Sequence, residues 1–409
     1  MVVIPNSLRS SEIDRHCITE FLASDSDELT ESVKERLAVP IPRAGGRARQ
    51  RCGVPADKWL LSSAVQKLIR RGHAEQAVKT ALALHALDPA YLPRRLPIIA
   101  FEDIGIGNLI ACFDILHVFG SQRFTVATSE PERRQILANL VYRLARSVKS
   151  RTGCDIFCLA HVDQNISTAA AKFSRSSEQC LIAMASDRAA EVTSRALALH
   201  LLSGMSVQVG RWHRTLSRFN PGALRAVAKK LRLPPVVAWM LIEGRNTSGL
   251  AAMLPLVMEA AADATDLQTK QIIEGEPKAL AEKPILGLPA YSADMYTRVG
   301  KSAIAEFSGA IRQKHPRFFE TIPDARTHSK LVGMAIFHAE GSKLDRWLEN
   351  KILAQYRERI EHVELQVLGL SDPKSREQLY RLLETECRLL WQIRRTHLRA
   401  TYGTDRGAM

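Results

Sequence analysis

The chain has 409 residues, of which 46% are hydrophobic and 24% are charged, and its formal net charge is +14. This hydrophobic content supports a sizeable buried core and excludes a chain that is disordered throughout, and the length leaves room for two or three domains. The excess of positive charge favours an anionic partner, most simply nucleic acid, although charge alone does not separate a polymer from a membrane surface.

We expect neither a membrane-spanning segment nor a secretory signal in this sequence. No apolar run is long enough to span a bilayer, and the N-terminus MVVIPNSLRSSEID lacks the pattern of a secretory signal. The seven cysteines have no framework spacing, which is typical of a reducing compartment. We therefore expect a cytoplasmic protein without a membrane partner.

Residues 1–56 are predicted to form an N-terminal arm that ends in a basic linker. The segment PIPRAGGRARQR contains arginines but no acidic residue, and its prolines and glycines favour an irregular backbone. It is either a solvated linker or an arm that lies along phosphates.

From residue 57 onward the apolar residues recur with helical period, and strand signals are nearly absent. We predict an all-α fold of multi-helical bundles in two or three domains. The predicted segments after the arm are a helical domain at 57–150, a basic helical domain at 151–270, a linker at 271–290 and a C-terminal helical hairpin domain at 291–409.

The segment LHALDPAYLPRRLPIIAFEDIGIGN, residues 84–108, combines tandem arginines with an acidic pair and two glycines. One helix is predicted to stop at Asp88, before a proline, and the next to be closed by glycine. Two helical turns separate Arg95 from Glu102, so both would lie on one side of an apolar band. The motif residues are Arg94, Arg95, Glu102, Asp103 and Gly105.

Residues 57–108 resemble the region that follows the ATPase core in the replication-associated recombination protein A family, whose eukaryotic relatives are the Werner-helicase-interacting ATPases. The shared pattern comprises Asp57, Ser63-Ala64, Lys67, Arg71-Gly72, Asp88-Pro89, Tyr91, Arg94-Arg95-Leu96, Ala100 and Glu102-Asp103-Ile104-Gly105. It continues less sharply to about Ser150, over roughly a quarter of the chain. The resemblance implies the helical collar and oligomerisation part of a clamp-loader-like protein, a homo-oligomer, and work beside a separate ATPase.

The sequence departs from that family in two ways. Pro97 falls inside the predicted arginine helix, where it removes a hydrogen-bond donor. No P-loop is present either: Gly300-Lys301-Ser302 lacks the earlier glycine, since Met295 occupies that place, and the segment has a helical pattern. We therefore expect no nucleotide cofactor.

Three potential metal ligands, Cys154, Cys158 and His161, have the spacing of one helical face. Zinc sites need four ligands, and buried cysteines on a core helix are commoner, so we predict no metal. No recognised catalytic motif is present, and we predict no catalytic residues.

The segment from Val207 to Pro235 carries seven basic residues and no acidic one, with aromatic residues interleaved. This combination suits contact with phosphates together with base stacking. The predicted nucleic-acid-binding residues are Arg211, Trp212, Arg214, Arg218, Arg225, Lys229, Lys230 and Arg232.

The second half of this segment has the spacing of a helix-turn-helix in which Arg232 replaces the usual turn glycine. Residues 236–242, the second helix, offer almost no polar side chains for reading base edges, so backbone binding is predicted rather than sequence readout. A basic helical hairpin that only packs in a bundle remains the alternative.

The predicted function is a non-catalytic, DNA-associated protein in replication, recombination or repair, with DNA preferred over RNA as its partner. Two alternatives stay open at this point. One is a helical interaction scaffold without DNA binding. The other is a metal-dependent nuclease or hydrolase that uses Glu102, Asp103, His117 and His161.

Overall fold

A computed structural model describes residues 37, 55–120, 129–162, 173, 176–205, 207–209, 212–214, 219–262, 271–275, 283–320, 322 and 325–403. The chain divides into two compact units, each assembled from three stretches of sequence. Unit 1 comprises 1–40, 93–273 and 346–360, and unit 2 comprises 41–92, 274–345 and 361–409.

Unit 1 is built from helices and short strands. In chain order these are α3 (Tyr91–Ile99, which begins in unit 2), α4 (Leu109–Gly120), α5 (Glu130–Arg146), α6 (Thr152–Val162), α7 (Glu178–Ser186), α8 (Val192–Leu202), β1 (Val207–Val209), β2 (Trp212–Arg214), α9 (Pro221–Leu231), α10 (Pro235–Glu243), α11 (Leu254–Ala262), β3 (Gln271–Glu274) and β4 (Arg346–Glu349). A π-helical turn at Ala100–Ile104 follows α3 directly.

Unit 2 is helical in its described residues. It contains α1 (Lys58–Arg70), α2 (Ala74–Leu87), α12 (Arg298–Lys314), α13 (Pro316–Phe319), α14 (Ala325–Ile336), the C-terminal part of α15 (Lys351–Val367, of which 361–367 belong to unit 2), α16 (Pro373–Thr385) and α17 (Cys387–Tyr402). A second π-helical turn, Phe337–Gly341, follows α14.

The fold is all-α and multi-helical, as the sequence predicts. The strands of the described residues form two small two-stranded sheets, β1 with β2 and β3 with β4. β1 and β2 are antiparallel, with Val207 opposite Arg214 and Val209 opposite Trp212. In the described part of the chain, no helix is long and apolar enough to cross a membrane.

Helix ends follow local signals in the sequence. The Asp57 carboxylate accepts hydrogen bonds from the amides of Trp59 and Leu60 at 2.8 and 3.0 Å, which caps α1. Gly72, with φ of +69°, lies in the turn that separates α1 from α2. Asp372 caps α16 by accepting from the Ser375 amide at 2.8 Å.

The core of unit 2 joins α12, α14, α16 and α17. It is formed by apolar side chains that are almost completely buried, including Ala303, Ile304, Phe307, Ile311, Leu331, Val332, Leu379, Leu383, Leu390 and Ile393. In the C-terminal segment, β4 precedes α15, and Glu386 separates α16 from α17. α17 packs against α12.

The two compact units follow a different division of the chain from the predicted segments, which stay predictions. The described part of the predicted linker at 271–290 contains β3 and the buried side chains of Ile285 and Leu288, which are 4% and 3% exposed. Most of the predicted arm at 1–56 lies outside the described residues.

Candidate nucleic-acid interface

α9 presents one apolar and one basic side. Its N-terminus is capped by Asn220, whose side-chain oxygen accepts from the Gly222 amide at 2.9 Å, and Pro221 occupies the first helical position. The buried side consists of Ala223, Leu224, Val227, Ala228 and Leu231. These residues pack α9 against α7, α8 and α10 in unit 1.

The other side of α9 carries exposed cations. Arg225 and Lys229 are one helical turn apart, and Lys230 and Arg232 extend the charge around the C-terminal end. We call Arg225, Lys229, Lys230 and Arg232 the basic face. In the part of the chain that the structure describes, none of the four side chains forms an ion pair or a side-chain hydrogen bond.

Arg232 ends α9 in the left-handed conformation, with φ of 52° and ψ of 45°. Its amide donates to the Lys229 carbonyl at 3.2 Å, and the Leu233 amide donates to the Ala228 carbonyl at 3.0 Å. This pair of bonds is the Schellman arrangement, in which glycine is the usual left-handed residue. The predicted turn therefore forms. Arg232 adopts a left-handed backbone conformation that is unfavourable for residues with a Cβ atom.

Two carboxylates close to α9 are engaged by other groups. Glu178 accepts two hydrogen bonds from the Asn220 amide group, at 2.9 and 3.1 Å. Glu259 accepts both Nη atoms of Arg195, at 2.7 and 3.0 Å. The basic face is therefore not neutralised by these two acids.

Arg188 is a cation near the basic face that the sequence pattern does not indicate. Its Nη2 donates to the Leu231 carbonyl at 3.4 Å, at the C-terminal end of α9, and its side chain is 68% exposed. Its Nε lies 3.5 Å from Glu259. Forty-three positions separate Arg188 from Leu231, so only the packing of the chain brings them together.

α10, the second helix of the predicted helix-turn-helix, packs its apolar side chains into the core of unit 1. Val237, Met240 and Leu241 are at most 2% exposed, and Trp239 packs its ring 4.8 Å from that of Phe113. A helix with this composition cannot read base edges, which agrees with the predicted lack of sequence readout.

The first half of the predicted basic segment is a β-ribbon rather than a helix in its described residues. Trp212 and Arg214 lie on β2, where they are two positions apart. Arg211 and Arg218 lie outside the described residues. Their role in binding stays a prediction.

The acidic pair of the family-like motif is bound internally in unit 1. Asp103 is completely buried and accepts from Nη1 of Arg151 at 2.6 Å, while Glu102 lies 3.6 Å from both Arg151 and Arg95. The predicted proximity of Arg95 and Glu102 is confirmed. Arg94 is exposed.

Gly105 follows the π-helical turn with a positive φ of 45°. A Cβ at this position would lie 3.1 Å from the Ser150 carbonyl oxygen, so the positive φ and this close approach together favour glycine. The motif from Glu102 to Gly105 therefore fastens the helix α3 to the segment that carries Ser150 and Arg151.

Other residues of the family-like pattern form buried contacts within unit 2. Lys67 forms a buried ion pair with Asp294 and donates to the Ser63 hydroxyl at 2.6 Å. Arg71 donates to the Glu340 carbonyl at 2.7 Å. Burial lowers the pKa of Lys67 despite its carboxylate partner. The family-like pattern is thus a set of structural contacts in each unit.

The candidate metal ligands share α6, as the spacing predicts. The sulfur atoms of Cys154 and Cys158 are 3.9 Å apart. A hydrogen bond to Cys158, together with burial, raises the pKa of the Cys154 thiol, which disfavours the thiolate that metals bind. His161 is hydrogen bonded through Nδ1 to the Phe157 carbonyl at 2.7 Å. Among the described residues, no group of three or more His, Cys, Asp or Glu side chains is arranged to hold a metal ion.

Comparison of the chain with protein-family models, with curated proteins and with solved structures finds no match. The resemblance to the recombination protein A family therefore depends on the motif residues alone.

Proposed function

We propose that the chain binds the phosphate backbone of nucleic acid, DNA in the first place, through the basic face of α9. The observation that carries the proposal is Arg232, a charged residue in a turn position where glycine is the stable choice. A left-handed non-glycine residue costs about 1–2 kcal/mol. Such a cost is most simply offset by a function of the side chain, since strained residues concentrate at functional sites.

A simpler explanation accounts for only part of the basic face. Cations in the last turn of a helix interact favourably with its dipole, by about 0.3–1 kcal/mol each. This effect applies to Lys229 and Lys230. It does not apply to Arg225, which lies in the middle of α9, and it does not require Arg232 to adopt a left-handed backbone.

Backbone binding accounts for the arrangement as a whole. Exposed cations without carboxylate partners are free to displace counterions from phosphates, and this release provides the affinity. Since α10 buries its apolar side chains, this helix offers no groups for distinguishing base pairs. The expected complex is therefore sensitive to salt and insensitive to sequence.

The test compares two variants with the same change in net charge. The site variant carries Arg225→Gln, Lys229→Gln and Lys230→Gln. The control variant carries Lys301→Gln, Arg312→Gln and Lys330→Gln, which are exposed cations of α12 and α14 in unit 2. Affinity for a duplex of random sequence is measured by fluorescence anisotropy at one moderate salt concentration.

We expect the site variant to bind at least tenfold more weakly than the wild type, and the control variant to bind within about threefold of it. Circular dichroism and thermal unfolding establish that both variants are folded. Equal losses in the two variants would mean that net charge alone drives association, and the proposal would then be wrong. Repeating the titration with RNA of the same sequence tests the preference for DNA.

The resemblance supports a wider proposal about assembly. The chain would act without catalysis in cytoplasmic DNA replication, recombination or repair, as a homo-oligomer that works beside a separate ATPase. Light scattering on the purified chain tests self-association, and a native pulldown with and without nuclease separates an ATPase partner from proteins held by DNA. A monomer that retains no ATPase after nuclease treatment would contradict this wider proposal but not DNA binding.

A further inference from the structure

α17 in unit 2 contains arginines and no acidic residue along its whole length. It has the sequence CRLLWQIRRTHLRATY, which includes Arg388, Arg394, Arg395 and Arg399. Arg394 is completely buried, where it pairs with Glu340. The other three arginines lie at the surface, since Arg388 and Arg399 are exposed and Arg395 is half-buried. The helix therefore places one arginine in the core and three against solvent.

The three surface arginines lie on one face of α17. With a rotation of about 100° per residue, positions 388, 395 and 399 fall within an arc of about 40°. Trp391 lies beside them, about 60° around the helix from Arg388. We call Arg388, Trp391, Arg395 and Arg399 the arginine face. Its length along the helix axis is about 16 Å.

Trp391 positions Arg395 on this face. The indole Nε1 donates to the Lys283 carbonyl at 3.0 Å, which fixes the orientation of the ring. The guanidinium carbon of Arg395 lies over this ring, 5.2 Å from its centre. Nucleic-acid bases stack on arginine guanidinium planes and on aromatic rings. The pair therefore provides a stacking surface for a base, between two exposed phosphate-binding cations.

Two carboxylates that reach α17 are engaged by other groups. Glu306 lies 2.7 Å from Nε2 of His397, which is on the side of the helix opposite Arg388. Asp57 accepts a hydrogen bond from the Tyr402 hydroxyl and also caps α1. In the part of the chain that the structure describes, none of the three arginines of the face forms an ion pair. Their charge is therefore available to an anionic partner.

The helix dipole explains only part of this pattern. A cation in the last turn of a helix is favourable, and Arg399 occupies that turn. Arg388 lies in the first turn, where a positive charge is unfavourable. Arg395 and Arg399 are four positions apart, and like charges at that spacing destabilise a helix. The arginine face thus opposes the stability of α17, and a bound polyanion would offset this effect.

We propose that unit 2 binds single-stranded nucleic acid through the arginine face. The arginines contact phosphates, and the pair of Arg395 with Trp391 stacks on a base. At about 3.4 Å per nucleotide, roughly five nucleotides lie along the face. A duplex keeps its bases stacked on one another, so only a single strand uses both the cations and the stacking surface. The proposal involves no residue of the basic face of α9 and does not depend on DNA binding there.

Fluorescence anisotropy of the full chain with labelled oligothymidylate of about 12 nucleotides tests this surface. The face variant carries Arg388→Gln and Arg399→Gln. The matched control carries Lys301→Gln and Arg312→Gln, which are exposed cations of α12 in the same unit. Both are made in the wild type and in the site variant of α9, so that binding through α9 does not mask the result. Circular dichroism and thermal unfolding establish that each variant is folded.

We expect the face variant to bind at least about fivefold more weakly in both backgrounds, and the matched control to bind within about twofold of its parent. The slope of log affinity against log salt should be shallower by about 1.4 in the face variant, for two phosphate contacts with a single strand. Equal losses in the face variant and the control would overturn the proposal. If only the site variant of α9 loses affinity, this proposal is wrong and the one for α9 stands; the reverse result separates them in the opposite sense.

An abasic oligonucleotide of the same length and charge tests the stacking contact. In the site variant of α9, oligothymidylate should bind at least about fivefold more tightly than the abasic strand. Adding Arg395→Lys keeps the charge and should keep the salt slope, but should remove most of this preference because lysine lacks a planar guanidinium. Equal affinity for the two strands before that substitution would overturn the proposal. So would displacement of oligothymidylate by polyglutamate of equal total charge, which would identify an acidic polypeptide as the partner.

Discussion

Substitutions at Arg232 separate the stability of the α9 turn from the charge of the basic face. With φ of 52° and ψ of 45°, the backbone favours glycine, tolerates asparagine, and is equally strained for arginine, lysine and alanine. The charge, in contrast, is present in arginine and lysine only. The two properties therefore rank the five residues in different orders.

For stability, Arg232→Gly should relieve a strain of about 1–2 kcal/mol and lose about 0.5–1 kcal/mol through the greater freedom of glycine in the unfolded chain. A net stabilisation of roughly 0.5–1 kcal/mol is expected. Arg232→Asn should be intermediate, and Arg232→Ala and Arg232→Lys should be close to the wild type. Urea unfolding measures these differences.

For binding, Arg232→Gly, Arg232→Asn and Arg232→Ala should each lose one phosphate contact, which weakens affinity roughly fivefold to tenfold at about 0.1 M salt. Arg232→Lys should bind like the wild type. The informative variant is Arg232→Gly, because it should be more stable and yet bind more weakly. If it is more stable and binds DNA as tightly as the wild type, the strain at Arg232 serves no phosphate contact and the reasoning fails.

Three further predictions concern the two units. Gly72→Ala should lower the free energy of unfolding by about 2 kcal/mol or more, because φ is +69° and an added Cβ would lie 2.0 Å from the Asp345 carboxylate; unchanged urea unfolding would contradict this. Asp57→Ala should cost about 0.5–2 kcal/mol through the loss of the α1 cap, and an effect below that range would show that the cap is dispensable. Burial lowers the pKa of His161, although its bond to the Phe157 carbonyl acts the other way, so its contribution to stability is present above the unfolded pKa of about 6.5 and is lost as the pH falls through the folded pKa. Unfolding measured from about pH 7.5 to pH 5 should show this loss in the wild type and less of it in His161→Phe; equal pH dependence in both would contradict the assignment.

Local features of the structure could be read from the sequence because they depend on neighbouring residues. The end of α2 at Asp88 and the turn at Arg232 each depend on a few consecutive positions. The buried side of α9 has helical periodicity, with Val227 and Leu231 one helical turn apart and both buried.

Features made by distant segments could not be read in this way. Lys67 and Asp294 are 227 positions apart, and no local pattern indicates that they form an ion pair. The β1–β2 ribbon was not predicted either, because three-residue strands carry too few alternating positions to be distinguished from other structure. The division into two units has the same cause, since each unit combines three separate stretches of the chain.

The salt dependence of DNA binding tests the central claim most directly. For the wild type, the site variant and the control variant, the logarithm of affinity for a random duplex is plotted against the logarithm of salt concentration. If three phosphate contacts are lost, the slope of the site variant should be shallower than that of the wild type by about 2.7, and the control variant should keep the wild-type slope. Parallel lines for the wild type and the site variant would show that the cations of α9 do not contact phosphates.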